Sequence, residues 1–74
     1  MSNKRIHVVT HENGWAVRRE GSDRASAVER TKEEAVDRGR EIAQRERGEL
    51  VIHGEDGRIQ EGRSYGNDPF PPRG

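Results

Sequence analysis

The sequence predicts an α+β domain of ββ(β)αββ order. One helix over residues 32–47 should pack on one face of a small antiparallel or mixed sheet. Three observations predict it. Short β-branched runs alternate with turn-forming residues on both sides of the chain's middle. A single segment between them repeats its apolar residues with helical period. And 74 residues, 27% of them hydrophobic, can build only one small core.

Ile6-His7-Val8-Val9-Thr10 is β-branched and reads as the first strand. Asn13-Gly14 follows, a strong hairpin signal because both residues accept positive φ. Trp15 to Glu20 is then the return strand, with Trp15 and Val17 on one face. After the Gly21-Ser22-Asp23 turn, Ala25 to Arg30 forms a short third strand with Val28 as its one sizeable apolar residue.

Thr31 opens the helix as the first residue of a Thr-x-x-Glu capping box with Glu34. Glu33 and Glu34 in the first turn, and Arg45 and Arg47 in the last, match the helix dipole. Ala35, Gly39, Ile42 and Ala43 share one side, with Val36 at its edge. Glu34–Arg38 and Glu41–Arg45 are spaced as ion pairs on the solvated side. Gly48 is placed to end the helix in a left-handed conformation. Such a narrow stripe of small side chains fits a helix that covers a sheet.

Glu49 to His53 is the next strand, and Gly54-Glu55-Asp56-Gly57 turns it into Arg58 to Glu61, with Gly57 suited to a left-handed bulge position. From Gly62 the composition shifts to Gly, Pro, Asn and Ser. Residues 1–62 are therefore expected to form one domain, and 63–74 a tail docked on the domain or on a second copy.

Composition narrows the function. Fourteen basic residues balance fourteen acidic ones, so no net field steers a polyanion toward the chain. There is no cysteine, which excludes disulfides, thiol catalysis and cysteine-bearing zinc sites. No long apolar run or export-signal pattern is present, and a cytoplasmic protein without a membrane partner is expected.

The run Ile6-His7-Val8-Val9, then Gly14-Trp15-Ala16-Val17, then Glu49 to Gly54 with Asp56-Gly57-Arg58-Ile59 resembles the domain-of-unknown-function family 2188. The closing Ser64-Tyr65-Gly66-Asn67-Asp68-Pro69-Phe70-Pro71-Pro72 is the most specific part of the likeness. The resemblance implies a small stand-alone prokaryotic protein. It implies no activity, cofactor or catalytic residue.

The residues themselves point away from catalysis. Ser22, Ser26 and Ser64 lack a nucleophile-elbow setting, and no acid–base pair with histidine follows from spacing. His7 and His11 share a strand face but lie roughly 13 Å apart at ~3.3 Å per residue. His7 and His53 could approach across strands, yet no carboxylate partner is defined, and no metal or cofactor is expected. Not an enzyme, the chain is read as a binding or protein-interaction module, expected to be homodimeric.

Its candidate surface comprises Val9 and Val51, which oppose their strands' other apolar residues, with Tyr65 and Phe70 of the tail. The tail's Pro69-Phe70-Pro71-Pro72-Arg73 also fits a polyproline ligand in form, although docking through Tyr65 and Phe70 is preferred. The alternative is a nucleic-acid-binding accessory protein contacting phosphates through Arg5, Arg18 and Arg19 on an Arg-rich sheet face, with Trp15 stacking. Placement of Trp15 in the core is preferred.

Overall fold

The computed structural model describes residues 4–65. In chain order it holds β1 (Arg5–His11), β2 (Gly14–Arg19), β3 (Ala25–Glu29), α1 (Lys32–Glu46), β4 (Glu49–His53) and β5 (Ile59–Ser64). The five strands form one sheet in the order β3-β2-β1-β4-β5. β1 pairs with β4 in parallel, and every other pairing is antiparallel. The helix is thus the crossover that carries the chain from edge strand β3 back to the centre, where β4 lies beside β1.

The period-two alternation of the strands decides what is buried. Ile6 and Val8 of β1, Val17 of β2, and Leu50 and Ile52 of β4 face the helix. Ala35, Ile42 and Ala43 complete that core from α1, with Gly39 buried among them. Trp15 packs half-buried against its margin, and the ammonium of Lys32 lies 5.1 Å from the centre of its ring.

Gly39 shows why a glycine sits on this stripe. A Cβ there would come within 2.9 Å of Leu50 Cδ1 and 3.2 Å of Val8 Cγ2. These two are the crowded neighbours; Val17 Cγ1, at 3.7 Å, is in ordinary contact, and Trp15 is not among the nearest atoms. Gly39→Ala gains about 1 kcal/mol of helix propensity but incurs about 1–3 kcal/mol of crowding. The expected outcome is a net loss, read as a lower urea midpoint; a more stable variant would mean that Leu50 swings clear.

Several local expectations are corrected. The β1–β2 turn is Glu12-Asn13, since His11 pairs with Gly14 in the ladder. Gly14 opens β2 at φ 137°, where a Cβ would lie 2.2 Å from the Glu29 carbonyl oxygen. The glycine is needed for contact with the end of β3. At the helix start, Thr31 Oγ1 accepts from the Glu34 amide at 3.2 Å, but the Glu34 carboxylate makes no return bond to Thr31 among the described residues.

At the helix end, Arg47 is the left-handed residue, at φ 56° and ψ 47°. Gly48 is not, and serves a close approach to Lys4. Arg38 turns from Glu34 to Glu29 on β3, at 3.3 Å, and the ion pair within the helix is Asp37–Arg40. The β4–β5 turn does place Gly57 at φ 86°, with a register shift beside it at Ile52/His53.

β5 runs past Gly62 to Ser64, because the backbone of residues 62–64 pairs with residues 49–51 of β4. The Tyr65 amide then donates to the Gly48 carbonyl at 2.9 Å, and its ring packs on the core. Phe70 and the remainder of the tail lie outside the described residues.

Arg19, at the end of β2, donates to the Glu46 carboxylate in the last helical turn. That hydrogen bond holds the Glu46 carboxyl below its ordinary value of 4.5; partial burial opposes it, and the charges of Arg19, Lys4 and Arg45 add to it. With the folded value depressed, this stabilisation is present above the unfolded value and lost as pH falls through the folded one. Glu46→Gln should therefore lower the urea midpoint at neutral pH, and the parent and variant curves should converge in acid. Parallel curves down to about pH 3 would show that the pair adds nothing to acid sensitivity.

Candidate functional site: the sheet face opposite the helix

The helix covers one face of the sheet only. The other face carries the alternate residues, arranged by register into rows across the strands. Val9 of β1, Ala16 of β2 and Val28 of β3 form one row. Arg18 of β2, His7 of β1, Val51 of β4 and Gly62 of β5 form the next. Arg5, Glu49 and Ser64 form a third. Ala16 is 1% exposed although it lies on the face opposite the helix. Val28, on the edge strand, is 42% exposed.

Four groups on this face form a hydrogen-bonded chain. His7 Nε2 lies 2.6 Å from a Glu20 carboxylate oxygen, and His7 Nδ1 lies 3.0 Å from His53 Nε2. His53 Nδ1 in turn lies 3.1 Å from the Gly57 carbonyl oxygen. The two rings are tilted by 36° with centres 5.2 Å apart. The parallel β1–β4 pairing brings the histidines together, the β2 end supplies Glu20, and the left-handed Gly57 turns its carbonyl toward His53. The hydrogen bond from His7 holds the Glu20 carboxyl below its ordinary value; slight desolvation opposes it, and the charges of His7 and Arg5 reinforce it.

A shallow groove of about 320 Å³ runs beside the chain, walled by Val9, Arg18, Ser22 and the two imidazoles. Arg18 spans it to donate to the Ser22 carbonyl at 2.7 Å.

Val9 and Val51 do share this face, both half-buried. Tyr65 does not join them, since it packs against the core on the helix side. The three candidate arginines are divided between surfaces. Arg5 and Arg18 lie on the face opposite the helix, Arg5 held by Glu49 at 3.0 Å and near Glu20 at 3.8 Å. Arg19 points to the helix side and Glu46, on the same side as Trp15. The approach of His7 to His53 across strands, open in the sequence, is realised by the parallel β1–β4 register; the carboxylate partner that spacing did not define is Glu20.

Among the described residues, no helix is long and apolar enough to cross a membrane. Residues 6–65 match the bacterial family described as "Uncharacterized protein conserved in bacteria (DUF2188)". The match ends at Tyr65, so most of the likeness in the tail lies beyond it. The chain is also 43% identical over 60 residues to the uncharacterized protein YdaT of Bacillus subtilis (strain 168). That alignment covers 81% of this chain and 40% of YdaT, so the chain spans about two-fifths of the relative's length. No solved structure matches the chain.

Proposed function

The chain belongs to the DUF2188 family, and from that premise we propose that it is a small non-enzymatic protein-interaction module of the cytoplasm, acting as a homodimer joined through the sheet face opposite the helix. The observation that carries this reading is the Val9–Ala16–Val28 row with Val51 beside it, an apolar strip on a face the helix leaves open. Around the strip, Arg5 and Arg18 balance Glu20 and Glu49. A two-fold pairing of this face with itself brings together surfaces without an excess of like charge.

Five strands ~4.8 Å apart and about 20 Å long present a face of roughly 24 by 20 Å. That is small beside the ~800 Å² per partner of a standard interface, so a weak dimer is expected. Light scattering over a concentration series tests it. The parent should approach twice the monomer mass at high micromolar concentration, and Val9→Lys or Val51→Lys should restore the monomer while keeping the helical signal. A monomer mass at every concentration would overturn the reading. Nucleic-acid binding has less support, because its three arginines do not share one surface and each is engaged by a carboxylate or carbonyl.

A further inference from the structure

The geometry points to a binding site for a borderline divalent transition metal, such as Zn2+, held by His7 Nδ1 and His53 Nε2. The outer ends of the hydrogen-bonded chain fix the tautomers of the two rings. A carbonyl oxygen only accepts, so His53 must carry its proton on Nδ1 to donate to Gly57. An ionised carboxylate likewise only accepts, so His7 must carry its proton on Nε2 to donate to Glu20. With both outer nitrogens protonated, the inner nitrogens of two neutral rings face each other as lone pairs at 3.0 Å. Two lone pairs at that distance repel unless a cation stands between them. A proton satisfies the pair by making one ring an imidazolium; a metal ion satisfies it with both rings neutral.

Three features favour the metal. Ligating histidines characteristically donate their second N–H to a carboxylate or a backbone carbonyl, which fixes the tautomer and the ring. His7 has the first kind of partner and His53 the second. Next, two imidazole nitrogens on a tetrahedral zinc at ~2.05 Å sit about 3.3 Å apart with their lone pairs converging, so the rings need to separate by a few tenths of an ångström and swing off the line that now joins their nitrogens. Finally, an all-imidazole donor set suits zinc, nickel or copper and not the oxygen-seeking calcium or magnesium.

No third histidine or carboxylate joins the pair within the described residues. Two positions of a tetrahedral ion are therefore left for water or an external donor. The site opens on the groove, where His7 retains 23% side-chain exposure. Arg18 lines the same groove. Its charge opposes a bare cation and favours an anion, such as a carboxylate, at one of the open positions.

Titration of the full chain with zinc chloride, followed by calorimetry and by the histidine ring signals in NMR, tests the site. The expected result is saturable binding that moves the rings of His7 and His53 and leaves His11 in place. His7→Gln and His53→Gln should each weaken binding at least tenfold, and His11→Gln should not. Glu20→Gln should weaken it by about tenfold, as loss of an outer-shell carboxylate does. Binding that survives either His7→Gln or His53→Gln, or no saturable binding by the parent, would overturn the proposal and leave a proton as the bridging cation. Should one glutamine variant fail to fold, the parent's ring shifts and the other variant still decide.

Both ligands belong to one chain, so the site does not require the dimer. Zinc binding retained in monomeric Val9→Lys supports the site. A dimer whose histidine rings ignore zinc overturns the site alone.

Discussion

Gly48→Ala is expected to destabilise the domain by about 3 kcal/mol, toward the upper end of what forced crowding costs. A Cβ at this position would lie 2.0 Å from the Lys4 carbonyl oxygen and 3.0 Å from the carbon behind it. These are backbone atoms, so no side chain can swing away to make room. The same few atoms anchor three parts of the chain. The Gly48 amide closes the helix on Ala43 at 2.8 Å, the Glu49 amide donates to Lys4 at 2.8 Å, and the Gly48 carbonyl accepts from Tyr65 at 2.9 Å. Moving Lys4 to admit a methyl therefore disturbs the start of the β1–β4 ladder and the end of β5 together. A domain this small has about 3–5 kcal/mol in total, so the variant should keep no more than about 2 kcal/mol and melt at a much lower urea concentration.

Arg47→Gly is the matching control. It relieves an arginine held at φ 56° and should be neutral or stabilising by up to about 1 kcal/mol. Circular dichroism and urea melts of the two variants check the contrast. A mild Gly48→Ala would show that the close approach to Lys4 is not needed.

Gly48 also illustrates what was legible in the sequence and what was not. That a glycine is required after the helix is plain from its place behind Arg45 and Arg47. Why it is required depends on Lys4, some forty residues away, and no local pattern carries that. Gly14 is the same case: it reads as a hairpin glycine, but its neighbour is the Glu29 carbonyl of β3.

The helix is read correctly because its determinants lie within a few turns of one another. Ala35, Gly39, Ile42 and Ala43 fall on the buried side as their spacing demands. The inward residues Ile6, Val8, Val17, Leu50 and Ile52 follow from alternation in the same way. β5 lacks any such alternation and is exposed throughout, so its length beyond Gly62 is set by backbone pairing with β4 alone. The histidine pair is left open by the sequence as a cross-strand approach, and undecided, for a related reason. Residues 7 and 53 meet only because the crossover returns β4 parallel to β1. An antiparallel return, or a different neighbour, would have separated them with the strands otherwise unchanged.

Leu50→Ala should be the second severe substitution, and it carries a further test of how the helix sits on the sheet. Leu50 is 1% exposed at the centre of the core. Truncating such a leucine removes transfer energy and leaves a cavity, for a cost of about 2–5 kcal/mol. The void would open directly beneath Gly39, since Leu50 Cδ1 is the atom that a methyl on residue 39 would strike first. In the Leu50→Ala background Gly39→Ala should therefore change sign. The methyl enters the space the leucine vacated, Val8 Cγ2 at 3.2 Å has room to give by the few tenths of an ångström it needs, and the helix-propensity gain of about 1 kcal/mol is realised. A double-mutant cycle by urea denaturation, run in sucrose to keep the weak variants folded, measures the coupling. Residues in contact couple by about 0.5–3 kcal/mol, and a value near zero would mean that the helix shifts as a body and that Gly39 does not rest on Leu50.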